Sequence, residues 1–169
     1  MRRPVTATYR LQLRGPHADP QGREFGFAQA AEIVPYLRDL GVSHLYLSPI
    51  FASSRESNHN YDVIDPTLVN PELGGIDGLR LLSRAAHEAG LGLIVDIVPN
   101  HLGVENPRAN RWWWDVLKHG RGSDYASYFD IDWDLDPDGR IVLPVLGSDS
   151  DVDDLEVDGD MLRLGDRKW

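Results

Sequence analysis

Two short stretches of this sequence bring together residue types that can do chemistry. Asp96-Ile97-Val98-Pro99-Asn100-His101 places an acid, an amide and an imidazole directly after an apolar run, and His59-Asn60-Tyr61-Asp62 sets an aromatic face beside a carboxylate. A flat ring stacks against the C–H face of a pyranose while carboxylate, amide and imidazole groups take its hydroxyls, so the combination suits a sugar and requires neither metal nor cofactor. Each stretch also has a structural alternative. Asp96 can cap a loop, His101 can be satisfied by a backbone carbonyl, and Tyr61 can be buried beside an Asx turn at Asp62. Tyr9, Arg10 and Gln12 on an early strand either point into the same pocket or face solvent and fill satisfied pairs. Trp112, Trp113 and Trp114 in series cannot share one helix face, so at least one must be exposed or lie in a groove, where it stacks on a sugar or packs one subdomain onto another.

Other chemistries lack their residues. The chain has no Cys, which removes thiolate nucleophiles and Cys-based metal sites. Its six His form no H-x-x-x-H or H-E-x-x-H spacing, and there is no G-x-S-x-G nucleophile elbow. Neither a G-x-G-x-x-G after the first strand nor a phosphate-binding G-x-x-x-x-G-K-[ST] occurs, so dinucleotide and nucleoside triphosphate binding are disfavoured.

The elements that must position these groups follow from periodicity. Ala7 to Leu13 alternates as a strand and stops at Gly15-Pro16. Phe27, Ala30, Ala31, Val34, Leu37 and Leu40 fall at helical spacing ahead of Gly41, with Pro35 expected to kink that helix or mark the start of its regular part. His44 to Leu47 and Leu91 to Val98 read as buried parallel strands, separated by a polar loop from Phe51 and a crossover helix from Ile76 to Ala89. The order strand, helix, strand, loop, helix, strand implies a parallel α/β sheet, either doubly wound or part of a (β/α)8 barrel, whose ligands sit at the carboxyl ends of the strands. After Asn100 the pattern changes to a short helix over Asn110 to Lys118, then hairpin strands at Tyr128 to Trp133, Arg140 to Val145 and Met161 to Leu164.

The 169 residues, with 41% hydrophobic, are enough to bury a core. With 27 acidic and 17 basic residues the net charge is -10, which gives nucleic acid and anionic membranes nothing to hold. Met1-Arg2-Arg3 is followed by no apolar segment, so a soluble, cytoplasmic protein is expected.

These stretches together resemble the α-amylase superfamily of glycoside hydrolases, and most closely its maltooligosyl trehalose synthase branch. The superfamily likeness lies in Asp96 to His101 and in Asn60-Tyr61-Asp62, where Asn60 takes the place of the family's usual glycine. The narrower likeness lies in Thr8 to Leu13, Tyr36 to Pro49, Asp65 to Gly75, Arg111 to Leu117 and Tyr128 to Trp133. The resemblance implies an α/β fold, residues 1–104 being the N-terminal part of a (β/α)8 barrel (its first three β/α units) and residues 105–169 the start of an inserted, hairpin-rich B-type subdomain. It implies an intramolecular transglucosylation that turns the reducing-end α-1,4 linkage of a maltooligosaccharide or glycogen-derived glucan into an α,α-1,1 linkage. Tyr61 would stack under the reacting glucose, Asp62 and His101 would bind its hydroxyls, and Asp96 and Asn100 would hold the loop. No cofactor or metal ligand is implied.

A complete barrel takes roughly 250 residues, and no motif for the carboxylate nucleophile or the acid/base is found, so no catalytic residue is assigned and the chain is expected to be an N-terminal fragment, inactive alone. The alternatives are an α-1,4-glucan hydrolase of the same superfamily and a non-catalytic carbohydrate-binding protein.

Overall fold

The structure, a computed structural model, describes residues 4–143, 146, 148–159, 161–165 and 167–168. It divides into two compact units, Met1–Gly103 and Val104–Trp169.

In the first unit β1 (Thr8–Leu11), β2 (His44–Leu47) and β5 (Gly92–Val95) form a parallel sheet in the order β1-β2-β5. The sheet lies at the expected strands, β2 with the expected bounds and β1 and β5 shorter than expected. Helices α1 (Phe27–Glu32), α2 (Val34–Asp39) and α3 (Gly75–Glu88) supply the connections. Pro35 divides the first helical segment as its geometry requires: α1 ends at Ile33, and Pro35 sits in the first turn of α2, where its missing N–H costs nothing. Phe27, Ala30, Val34 and Leu37 from this pair, Leu82 and Ala86 from α3, and Leu11, Leu45 and Leu47 from the strands bury into one cluster. Burying each such leucine stabilises the fold by roughly 1.5–3 kcal/mol. Ile76, expected on the buried face of α3, is half exposed, and the apolar face begins one turn later at Leu79.

The loop expected from Phe51 contains an antiparallel pair, β3 (Phe51–Ser53) with β4 (Val63–Val69). Two register irregularities fit three residues of β3 against seven of β4. Pro66, unable to donate to a ladder, is accommodated in β4, which pairs with β3 alone among the described residues. This pair carries the chain out to Tyr61-Asp62 and back.

In the second unit α4 (Arg111–His119) starts at Asn110, whose side chain accepts from the backbone N–H groups of Trp112 and Trp113. Trp112 packs edge-on against Tyr128, and Trp113 lies 4.9 Å from Phe129, centroid to centroid. Those two contacts explain why no strand forms over 128–133. Tyr128 and Phe129 turn their rings onto α4, and Asp132 closes an Asx turn by accepting from the N–H of Asp134. The strand expected over 140–145 is also absent through 143, where Asp136 instead draws in the Arg140 backbone and guanidinium; Pro144 and Val145 lie outside the described residues. The strand at Met161–Leu164 is present as β7, between β6 (Glu156–Asp158) and β8 (Arg167–Lys168) in an antiparallel meander. Trp114 is half-buried, with Arg108 and Lys118 each within about 5 Å of its ring. No helix among the described residues is long and apolar enough to cross a membrane.

Candidate functional site

The carboxyl ends of the parallel strands gather the residues singled out by type. Asp96 is the first residue beyond β5, fixed there by its N–H bonded to the Leu47 carbonyl at 3.0 Å. Its Oδ2 accepts three side-chain donors: Tyr61 Oη at 2.5 Å, Tyr46 Oη at 3.1 Å and Arg10 Nη1 at 3.2 Å. Arg10 also donates through Nη2 to Tyr61 Oη at 2.9 Å, and its guanidinium lies 4.8 Å over the Tyr46 ring. These bonds set the charge states. The Tyr61 hydroxyl foremost, then Arg10 and Tyr46, hold the Asp96 carboxyl below the usual carboxylate range against the opposing effect of desolvation. The same bond to Asp96 raises the Tyr61 phenol above its ordinary value, because ionising it would forfeit the donated proton and place two anions together. For Arg10, the hydrogen bonds to Tyr61 and Asp96 outweigh desolvation and raise its pKa.

Asp62 accepts a short hydrogen bond from Ser57 through Oδ1. His59 Nδ1 lies 3.7 Å from the same oxygen, but it already accepts the Tyr61 N–H at 3.0 Å, so it has no proton on that nitrogen to give and the pair is not ionic. The His59 ring runs alongside Tyr61 at 6.0 Å between centroids.

His101 reaches back to the same segment, with Nε2 3.1 Å from the Tyr61 carbonyl oxygen. The structural alternative for this histidine is thus realised, and the bond ties it to the residue whose ring is the candidate platform. Asn100 is exposed in the same loop and, among the described residues, stands outside this network. Gly103 explains how the loop closes: a Cβ there would come within 2.8 Å of the Asp62 carbonyl oxygen, so only glycine lets the chain bond to Val63 so closely.

Asn60 stands where the resembled family has a glycine. Asn60 adopts φ 63°, the left-handed conformation a glycine would take without strain, and its buried amide donates to the Leu13 carbonyl at 2.8 Å while accepting from Ser53 Oγ at 2.9 Å and Asn70 Nδ2 at 3.3 Å. It locks the turn ahead of Tyr61-Asp62. Arg10, whose place in an alternating strand favours a solvent-facing or satisfied-pair role over the pocket, reaches Asp96 and Tyr61 in the site, and Tyr46 and Ser57 carry no signal beyond lying on a strand and in a polar loop.

A half-buried tyrosine with a fixed hydroxyl, flanked by a carboxylate and an imidazole, can stack on and hydrogen-bond a polyhydroxylated ring. Among the described residues no group of three or more His, Asp or Glu is arranged to hold a metal ion. Residues 19–142 match the family model for the α-amylase catalytic domain. A putative maltooligosyl trehalose synthase of Mycobacterium tuberculosis is 63% identical over 163 residues, covering 96% of this chain and 21% of that protein. The solved maltooligosyltrehalose synthase from Arthrobacter ramosus is 51% identical with a TM-score of 0.78, over 96% of this chain and 20% of that one. An intracellular maltogenic amylase of Bacillus subtilis is 38% identical over 67% of this chain and 19% of its own length. The chain spans about a fifth of the length of these curated relatives. Through the match over residues 19–142, this chain belongs to the α-amylase catalytic-domain family.

Proposed function

We propose that the protein carrying this chain rearranges the reducing end of maltooligosaccharides or related α-1,4-glucans, turning its α-1,4 linkage into an α,α-1,1 linkage to give a maltooligosyl trehalose. The observation that carries this reading is the 63% identity over 163 residues to a putative maltooligosyl trehalose synthase, well above the 38% to a maltogenic amylase. Residues 1–104 are read as the N-terminal part of a (β/α)8 barrel, its first three β/α units, and residues 105–169 as part of an inserted B-type subdomain, acting in the cytoplasm.

In this reading Tyr61 stacks under the reacting glucose. Asp62 takes its hydroxyls, and His101, whose Nε2–H is spent on the Tyr61 carbonyl, offers Nδ1 as an acceptor. Asp96 orients the Tyr61 ring through its hydroxyl. A retaining displacement also needs a carboxylate nucleophile and a carboxylic acid/base about 5–5.5 Å apart. Neither role is assigned to the residues gathered here, which bind and orient.

Counting reducing ends in the native protein with maltoheptaose tests the reading. The synthase consumes reducing ends, whereas a glucan hydrolase, the competing reading, creates them. Tyr61→Ala and His101→Ala should each lose most of the turnover while remaining folded, and unchanged turnover in both would remove these residues from the site.

A further inference from the structure

We infer that Arg10 is a positioning residue of this site: its guanidinium, reaching from β1, clamps the Tyr61 hydroxyl against Asp96 and so fixes the ring face before a sugar arrives. The inference rests on the glucan-site reading of Tyr61 given above.

The geometry is a closed triangle. Arg10 Nη1 donates to Asp96 Oδ2 at 3.2 Å, Arg10 Nη2 donates to Tyr61 Oη at 2.9 Å, and Tyr61 Oη donates to Asp96 Oδ2 at 2.5 Å. The three residues come from separate parts of the chain, β1, the excursion between β3 and β4, and the end of β5, so no local turn forces them together. Arg10 is itself held. Its plane lies over the ring of Tyr46, its partner in the strand register, whose hydroxyl reaches the same Asp96 oxygen, and Gln12 Oε1 accepts from Nη2 at 3.4 Å.

A salt bridge meant only to neutralise Asp96 would need one cationic contact, which a lysine could supply. Here two different nitrogens of one rigid fork serve two different acceptors, a task a single ammonium on a flexible stem does poorly. Three of the five guanidinium N–H groups are committed to Asp96, Tyr61 and Gln12, and the effect on a sugar is exerted through the ring that Arg10 holds. A tyrosine already fixed in its stacking orientation forfeits no rotamer freedom on binding, which is where affinity is gained.

The test is a double-substitution cycle on the native protein, read by calorimetric binding of maltoheptaose. Arg10→Lys and Tyr61→Phe should each weaken binding about tenfold, and the double variant should be no weaker than either alone, because both cut the same clamp. Losses that multiply to about a hundredfold, or Arg10→Lys binding like the unsubstituted protein, would overturn the inference. A second readout needs no sugar. With tyrosines labelled at 13Cζ, the resonance absent from Tyr61→Phe identifies Tyr61, and it should move in Arg10→Lys, in protein whose melting shows it folded. An unmoved resonance would overturn the clamp. If the unsubstituted protein bound no glucan, the functional reading would fail while this resonance still decided the contact between Arg10 and Tyr61.

Discussion

The Nε2 atom of His101 stands 3.1 Å from the backbone carbonyl oxygen of Tyr61, 40 positions earlier in the chain. A carbonyl only accepts, so the imidazole donates its Nε2–H to it. Glutamine can present an amide N–H at the reach of Nε2, whereas asparagine cannot. We expect His101→Gln to keep most of the stability and His101→Asn to lose about 1 kcal/mol, the usual net worth of one hydrogen bond. Denaturant unfolding distinguishes them, and equal losses in the two variants would mean the bond to Tyr61 is not what holds this histidine.

Asn60 gives a second pair of substitutions. Asn60→Gly keeps the left-handed backbone and removes the buried amide, leaving the Leu13 carbonyl and the Asn70 amide without this partner, at a cost of roughly 1–3 kcal/mol. Asn60→Ala removes the same bonds and adds the penalty of φ 63° for a residue with a Cβ, so it should be less stable than the glycine variant by about another 1 kcal/mol. Finding the alanine variant as stable as the glycine variant would contradict the role given to this backbone angle.

Asp96 predicts a pH dependence. Its carboxyl is held below the usual value by the Tyr61 hydroxyl first, with Arg10 and Tyr46 adding to this against desolvation. A carboxylate whose folded pKa lies below its unfolded one stabilises the fold fully above the unfolded value, near 3.8, and that contribution is lost as pH falls through the lowered folded value. Asp96→Asn should therefore be less stable than the native protein at neutral pH, with the gap closing below about 3.8. Because Asp19, Asp115 and Asp136 are also lowered, only the difference between the two proteins is diagnostic. A gap of constant size from neutral to strongly acid pH would show that the bonds to Asp96 do not favour its charged form.

What was legible in the sequence was what repeats along it. The spacing of Phe27, Ala30, Val34 and Leu37, and the apolar runs at His44 and Leu91, mark helices and strands because burial imposes their periods. Asp96, Tyr61, Asp62 and His101 stood out because acid, imidazole and aromatic groups followed predicted strands. The bonds among them were not legible. Arg10 meets Asp96 across 86 positions and Tyr61 across 51, and no local pattern announces a contact that depends on the sheet bringing β1 beside β2 and β2 beside β5. Pro66 and the irregular register hid the β3–β4 pair, and the adjacent rings of Tyr128 and Phe129, residue types common in strands, serve instead to cover α4.

The sheet itself offers a test at His44 and Gly92, which face each other in the parallel register of β2 and β5. A Cβ at Gly92 would overlap the buried His44 ring, which would have to shift to admit it. Gly92→Ala should cost about 1–3 kcal/mol as an overpacked site. Adding His44→Ala should recover part of that loss, a compensation measurable by thermal melting, and purely additive losses would contradict the contact.

The proposed function requires that the protein carrying this site rearrange the reducing end of a glucan. Proton NMR of the anomeric region, following maltoheptaose with the native protein, reads it directly. Reducing-end signals should fade while those of an α,α-1,1-linked terminal pair grow and shorter saccharides stay scarce. Reducing-end signals that increase would make the protein a glucan hydrolase, and a spectrum that never changes would contradict the assigned chemistry altogether.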